Sequence, residues 1–285
     1  MSIVTRFAPS PSGRLHLGHA YSALRAWDFA QQQEGNFLLR IEDIDFNRCK
    51  AEFEDLLKTD LAWLGLRWSE PTRRQSEHLD YYQSIAHRLE TDGFLYPCFC
   101  TRKEILAEIA RAGAAPHGSE GPVYPGTCRD LSEDERTHRI KSGRDYAMRF
   151  DLASALEKVG RSLTWSDLEN GEIPIAEKDW AELGDVVLVR KDIQTSYHLA
   201  VVADDFLQGV THIIRGRDLF ESTHIHVLLQ HLLDMPQPIY LHHELVTDQT
   251  GKRLAKRDES ETLAALRESG VSPAEIRERL GLLRD

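Results

Sequence analysis

Four cysteines in 285 residues are too few for a disulfide framework, so a reducing compartment, the cytoplasm, is the expected setting. Long apolar runs are missing as well: no stretch approaches the roughly 20 apolar residues that cross a bilayer, and no membrane role is expected. Met1 to Arg14 holds Arg, Pro, Ser and Gly without an apolar core, which argues against a secretory signal. Positive charge is in deficit, with 35 Lys and Arg against 46 Asp and Glu and a net charge of −11. A protein that coats nucleic acid through bulk charge is thereby disfavoured, although a local basic groove is not. There is no Walker A sequence, no GxGxxG, no HExxH, no internal repeat and no low-complexity tract. What is present, 41% apolar and 28% charged residues, is a globular composition with enough chain for one large domain or two modest ones.

Punctuation along the chain divides it into short units. Ile3 to Phe7 predicts a buried strand that ends at Pro9-Ser10-Pro11-Ser12-Gly13. From His19 onward Ala20, Ala23, Leu24, Trp27 and Ala30 share a helical face, Gly35 closes the helix, and Phe37 to Ile41 predicts a second strand. Strand, turn, helix, strand opens a βαβ unit and favours a parallel sheet. Helices are expected over 52–64, 77–90 and 220–233, and strands over 185–189, 197–203 and 212–214. Two short helices should follow Ser260, the second capped by Ser272-Pro273. Between Tyr96 and Asp130 three cysteines, with prolines and glycines, break the periodicity and suggest a small insertion.

Three local patterns carry chemistry. In His16-Leu-Gly18-His19 a turn feeds a helix start, placing two imidazoles beside unpaired helix N–H groups, a site suited to phosphates. Gly18 would let a flat base or ribose approach the backbone. Gly251-Lys252-Arg253-Leu254-Ala255-Lys256-Arg257 is a basic loop more than 230 residues later. Cys98-Phe-Cys100, followed after an excursion by Cys128, has the spacing of a tetrahedral zinc site, for which ligand chemistry alone suggests His117 as fourth donor. Cys49 stands apart. His224, His226, His231 and His242-His243-Glu244 are expected to be packing or surface residues.

Taken together, the first two patterns resemble the HIGH and KMSKS signatures of class I aminoacyl-tRNA synthetases, with Ala255 standing where the second signature has Ser. Arg6-Phe-Ala-Pro-Ser-Pro-Ser-Gly, Leu39-Arg-Ile-Glu-Asp-Ile-Asp45, Tyr197-His-Leu-Ala and His212-Ile-Ile-Arg-Gly-Arg-Asp218 resemble glutamyl-tRNA synthetases in order and spacing. The resemblance covers residues 5 to 258 and implies an α/β, Rossmann-like catalytic domain and an ATP-dependent ligase that forms glutamyl-adenylate, with Mg accompanying ATP. It implies roles for His16, His19 and Lys256 in catalysis, with these three and Gly18 holding ATP. Arg6, Phe7, Ala8, Pro9, Ser10, Glu42, Tyr197 and Arg215 would form the L-glutamate site, Arg6 and Arg215 holding the side-chain carboxylate. It also favours Tyr124 as the fourth ligand of a structural Zn beside Cys98, Cys100 and Cys128.

Only 28 residues follow Arg257, which leaves no room for the anticodon-binding domain of a full glutamyl-tRNA synthetase. A free-standing catalytic core with a zinc-bearing α/β insertion resembles the glutamyl-queuosine tRNA(Asp) synthetase family. That implies glutamate activation without tRNA and transfer to queuosine at the wobble position of tRNA(Asp). The expected divisions are 1–95 and 186–235 for the two halves of the catalytic domain, 96–185 for the insertion and 236–285 for a short helical region with the basic loop. A monomer is expected. The alternatives are a compact enzyme charging the terminal adenosine, a glutaminyl-specific enzyme, and a non-catalytic paralogue that binds glutamate or tRNA.

Overall fold

The computed structural model of the chain describes residues 2–112, 117, 118, 121–246 and 261–282. It opens as β1 (Val4–Phe7), α1 (Leu17–Gln32) and β2 (Asn36–Ile41), with β2 parallel to β1 and Val4 facing Asn36. Alanines and Leu24 form the buried face of α1, narrow enough for the helix to lie close on the strands. The return is tight at Gly35, where a Cβ would sit 2.5 Å from the carbonyl oxygen of Ile3. Next come α2 (Ala51–Trp63), the polar edge strand β3 (Ser69–Arg74), parallel to β2, and α3 (Leu79–Thr91) after one 3₁₀ turn.

A second layer of structure follows. β4 (Leu95–Cys98) leads to α4 (Arg102–Ala112), the short pair β5 (His117–Gly118) and β6 (Gly121–Pro122), and α5 (Glu133–Lys141). Then come β7 (Ala147–Phe150), α6 (Leu152–Val159), the hairpin β8 (Thr164–Asp167) and β9 (Gly171–Pro174), α7 (Glu177–Leu183) and β10 (Val187–Val189). β4, β7 and β10 make an antiparallel sheet. The chain then re-enters the parallel layer through α8 (Tyr197–Leu207), β11 (His212–Gly216), α9 (Phe220–Leu232) and β12 (Ile239–His243), and ends in α10 (Leu263–Glu268) and α11 (Pro273–Arg279).

Hydrogen bonds join the two parallel pieces. The Thr211 N–H donates to the Val4 carbonyl at 2.9 Å, and the Val4 N–H donates to Thr211 Oγ1 at 2.8 Å. The resulting order runs β3-β2-β1, then β11-β12-β8-β9, with β8 adding parallel to β12. Strand order reverses between β1 and β11, and a parallel sheet binds ligands beyond the carboxyl ends of its strands at such a reversal. Arg6 and Phe7 end β1, and Arg215 and Gly216 end β11.

The expected strand over 197–203 is instead the first part of α8. The Ser196 hydroxyl accepts from the Leu199 N–H and caps it, and residues 198–205 are buried without a break. An apolar run buried on every side carries no period, so helix and strand cannot be told apart from it. Among the described residues no helix is long and apolar enough to cross a membrane.

Candidate active site

A cleft of about 770 Å³ opens beyond the strand ends. Arg6, Phe7, Ala8 and Ser10 from the end of β1, His16, Gly18 and His19 from the start of α1, Glu42 after β2, and Tyr197 and Arg215 from α8 and β11 all line it. Pro9 is buried behind them, its carbonyl accepting from the Glu42 N–H at 3.0 Å. Lys252, Arg253, Ala255, Lys256 and Arg257 lie outside the described residues. The described chain on either side of them meets the cleft. Val246 lines it, and Thr262 forms a β-bridge to His16, with the Leu263 N–H donating to the Leu15 carbonyl at 2.9 Å.

The two histidines build the start of α1. His16 Nδ1 accepts from the Gly18 N–H at 3.1 Å, and His19 Nδ1 accepts from the His16 N–H at 3.2 Å, a reciprocal cap made of imidazoles. A ring nitrogen that accepts carries no proton, so each neutral ring holds its proton on Nε2, where it is a donor. Gly18 serves this arrangement: a Cβ there would meet Cε1 of His16 at 3.0 Å.

Charge at the strand ends is arranged unequally. Arg6, 5% exposed, donates through Nε to Asp205 Oδ1 at 3.1 Å. Fully buried Arg40 donates to the same oxygen at 2.7 Å and, through Nη2, to Glu42 Oε1 at 3.2 Å. A buried chain Arg6–Asp205–Arg40–Glu42 therefore passes beneath the cleft. Asp204, the next residue, takes Arg73 Nε at 2.7 Å, Gln75 Nε2 at 3.1 Å and the Tyr82 hydroxyl at 2.9 Å, tying α8 to β3 and α3. Burial pushes the Asp205 carboxyl up, but the Arg40 and Arg6 guanidiniums outweigh it and hold the group below its ordinary 3.8. Burial raises Glu42 despite Arg40 and Arg6.

Arg215 is different. It is 4% exposed and its partners are neutral: Thr223 Oγ1 at 2.6 Å, the Leu219 carbonyl at 3.1 Å, His242 Nε2 at 3.2 Å, the Tyr197 hydroxyl at 3.3 Å and His226 Nδ1 at 3.4 Å. Burial, with Arg215 alongside, pushes His242 down to about 2 and His226 well below its ordinary value, so both rings stay neutral acceptors. Among the described residues no carboxylate lies within ion-pair reach of this guanidinium. A buried cation without a counterion is costly, and this one faces a cleft able to admit an anion.

The cysteine cluster sits on the second layer. Cys100 and Cys128 sulfurs are 3.5 Å apart, and the Tyr124 hydroxyl lies 3.4 Å from Cys98 Sγ and 3.7 Å from Cys100 Sγ. All three sulfurs lie within 4.8 Å of one another, a group that could hold a metal ion. Tetrahedral zinc with bonds of about 2.3 Å to sulfur and about 2.0 Å to oxygen needs S···S edges near 3.8 Å and S···O edges near 3.5 Å, close to the Cys100–Cys128, Cys98–Tyr124 and Cys100–Tyr124 separations. The Arg149 guanidinium lies 3.7 Å from the centre of the Tyr124 ring and adds to the Cys128 hydrogen bond in holding the Cys98 thiol below its ordinary value, while burial and the Cys98 hydrogen bond push the Tyr124 hydroxyl up. The side chain of His117 lies outside the described residues.

Sequence reasoning missed Asp205, Arg40 and Thr223. Asp205 ends the apolar run taken for a strand; Arg40 lies inside a strand, where a charge gives no sign of its partner. His226 and His242 are packing residues, as expected, but they pack on Arg215.

Comparison with known proteins fits this geometry. Residues 2–284 match the family described as tRNA synthetases class I (E and Q), catalytic domain, and the chain belongs to that family of ATP-dependent ligases. Over 98% of its length it is 47% identical to the whole of a Rhodobacter capsulatus protein named glutamyl-Q tRNA(Asp) synthetase. Over 99% of its length it is 38% identical to 57% of the glutamate–tRNA ligase of Aquifex aeolicus. A glutamate tRNA ligase from Elizabethkingia meningosepticum, solved in complex with its amino acid, superposes with a TM-score of 0.81 at 28% identity. That match covers 99% of this chain and 61% of the solved one.

Asp205→Asn leaves Arg6 and Arg40 short of a buried countercharge and should destabilise the protein by about 3 kcal/mol, read as a shift of the urea midpoint. The stability that Asp205 contributes is present above its unfolded pKa and is lost as pH falls through its depressed folded value, so the difference between variant and wild type should narrow in acid. A midpoint unchanged at neutral pH would contradict the burial argument.

Proposed function

We propose that this chain activates L-glutamate with ATP and transfers the glutamyl group to the cyclopentenediol of queuosine at the wobble position of tRNA(Asp). The observation that carries the first half is Arg215, a buried guanidinium with neutral partners only among the described residues, facing the cleft. A side-chain carboxylate is the countercharge it lacks, and the Tyr197 hydroxyl adds a donor beside it. Arg6, already balanced by Asp205, completes the electropositive wall. Glu42, Ser10 and the backbone at Ala8 receive the α-ammonium, with Phe7 and Pro9 shaping the strand end. Burial raises Glu42, and a bound ammonium would act with Arg40 and Arg6 in favouring its ionised form.

In the first step an oxygen of the α-carboxylate attacks the α-phosphorus of ATP. A carboxyl–phosphate bond forms as the bond to pyrophosphate breaks, and pyrophosphate leaves with the electron pair. The nucleophile is already ionised, so no base is needed; positioning and charge stabilisation do the work. The Nε2 protons of His16 and His19 donate to phosphate oxygens above Gly18. Lys256 clamps the departing pyrophosphate, and Mg accompanies the nucleotide. In the second step the queuosine hydroxyl oxygen attacks the carbonyl carbon of the mixed anhydride; an ester bond forms and the bond from that carbon to the phosphate oxygen breaks. AMP leaves with the electron pair, and the hydroxyl proton passes to the departing phosphate or to water.

Relatives support the second half. Proteins named glutamyl-Q tRNA(Asp) synthetase are 47% and 42% identical to this chain, with 100% and 83% of their lengths matched. Glutamate–tRNA ligases match at 38% and 37% over 57% and 58% of theirs. The latter matches keep a second reading open, charging of the terminal adenosine. We further propose that residues 96–185 act as an acceptor-facing insertion, stabilised by one structural Zn on Cys98, Cys100, Cys128 and Tyr124. When bound, the metal would cross-link the loop after β4 to residues 124–128 and take no part in the chemistry.

Labelled glutamate should reach tRNA from queuosine-replete cells and not tRNA from queuosine-deficient cells. Equal labelling of both pools would overturn the modified-base acceptor in favour of the terminal adenosine. For the metal, protein made in zinc-supplied medium should carry close to one zinc per chain and lose it on Cys128→Ser; zinc-free wild type would refute the site.

A further inference from the structure

The turn after β2 forms one lip of the cleft, and it carries an exposed aromatic residue. Phe46 is 54% exposed. It sits at the tip of a turn in which the N–H groups of Arg48 and Cys49 donate to the Asp45 carbonyl at 3.0 and 2.9 Å. The turn is pinned at both ends. Asp43 accepts from the Ser76 N–H at 2.9 Å and from its hydroxyl at 2.6 Å, and the Lys50 N–H donates to the Pro11 carbonyl at 3.1 Å. Beside it, Cys49 Sγ lies 3.3 Å from Ser10 Oγ, within the proposed glutamate site.

Cations lie on this turn and on the neighbouring end of β10, on an otherwise acidic protein. Arg48 and Lys50 are exposed on the same turn, and Arg48 also lines the cleft. Arg190 reaches the turn from the end of β10, its Nη1 lying 4.0 Å from Asp45 Oδ2, and Lys191 Nζ donates to the Cys100 carbonyl at 3.5 Å, on the cysteine cluster. Carboxylates offset part of this charge: Asp45 and Asp192 face Arg190, and Glu52 lies 3.8 Å from Lys50. Arg48 has no carboxylate in ion-pair range among the described residues; nor has Lys191, although its charge adds to hydrogen bonds from Thr101 in holding the Glu104 carboxyl below its ordinary value. The cation line thus runs from the cleft, past Phe46, toward the cysteine cluster.

We propose that Phe46 is a stacking platform for an unpaired nucleobase of the acceptor RNA, with Arg48 and Lys191 taking flanking phosphates. An exposed π-face beside phosphate-binding cations is the arrangement by which single-stranded RNA is held without base-edge reading. The inference rests on the reading of the chain as a tRNA-glutamylating enzyme, and it assigns the lip of the cleft to the RNA.

The test is equilibrium binding of tRNA(Asp) to the full chain by filter retention, alongside glutamate-dependent pyrophosphate exchange without tRNA. Phe46→Ala should weaken tRNA binding about tenfold, Phe46→Leu should behave like Phe46→Ala, and Phe46→Trp should stay within about twofold of wild type, all with exchange unchanged. Full affinity in Phe46→Ala overturns the platform. Full affinity in Phe46→Leu shows an apolar contact in place of stacking and overturns it too, as does loss of exchange in parallel with binding, the mark of a merely structural residue. Wild type that binds tRNA but never transfers glutamate removes the proposed function while the Phe46 series still decides the platform. Wild type that does not bind tRNA removes the platform alone if exchange persists.

Discussion

Charge buried at the strand ends is the constraint around which this protein is organised. Four guanidiniums, those of Arg6, Arg40, Arg73 and Arg215, meet three carboxylates, those of Glu42, Asp204 and Asp205. Taking an ion out of water costs several kcal/mol unless partners restore what water supplied. Asp205 therefore has to face Arg6 and Arg40 together, and Asp204 has to face Arg73, Gln75 and Tyr82, which sets how α8 lies against β1, β2 and β3. Of these four guanidiniums, Arg215 is the one without a carboxylate in ion-pair range among the described residues, and it lines the cleft beside Arg6, which Asp205 balances. In this account binding a dicarboxylate completes the fold's own charge balance, which gives specificity for an anionic side chain and a reason for rejecting a neutral amide.

The phosphate side of the cleft follows from a different economy. A helix start must satisfy its first N–H groups, and here imidazoles do so where Ser or Asp commonly would. An aspartate cap would place negative charge where the proposed function brings nucleotide phosphates. Histidine caps with a neutral nitrogen and keeps a proton on the opposite ring atom, so one residue satisfies the helix and presents a donor. Gly18 suits this arrangement, because a Cβ there would lie 3.0 Å from Cε1 of His16 and the capping ring would have to give way.

How much of this was legible in the sequence depends on range. The His16–His19 turn, the opening βαβ unit and the Cys98–Cys100 pair are local patterns; α1 starts at the turn, β2 lies parallel to β1, and the cysteine pair groups with Cys128. Arg6 and Arg215 are 209 residues apart in the sequence, and only a resemblance to a known family joined them; their meeting depends on β1 lying beside β11, which no spacing encodes. Asp205 was invisible for a related reason. It closes an apolar run with no period, and its partners come from strands whose inward charges look, in sequence, like any surface arginine. The basic loop around Lys256 lies outside the described residues, and its part in the site remains an inference from its resemblance to the second signature.

The account's central claim is that the unbalanced charge of Arg215 reads the substrate side chain. Calorimetric titration of glutamate and of glutamine into wild type and Arg215→Gln tests it most directly. Wild type should prefer glutamate by on the order of 100-fold, and the variant should bring the two amino acids close to parity by losing affinity for glutamate alone. A variant that keeps the preference would place the recognition of the carboxylate elsewhere and contradict the account.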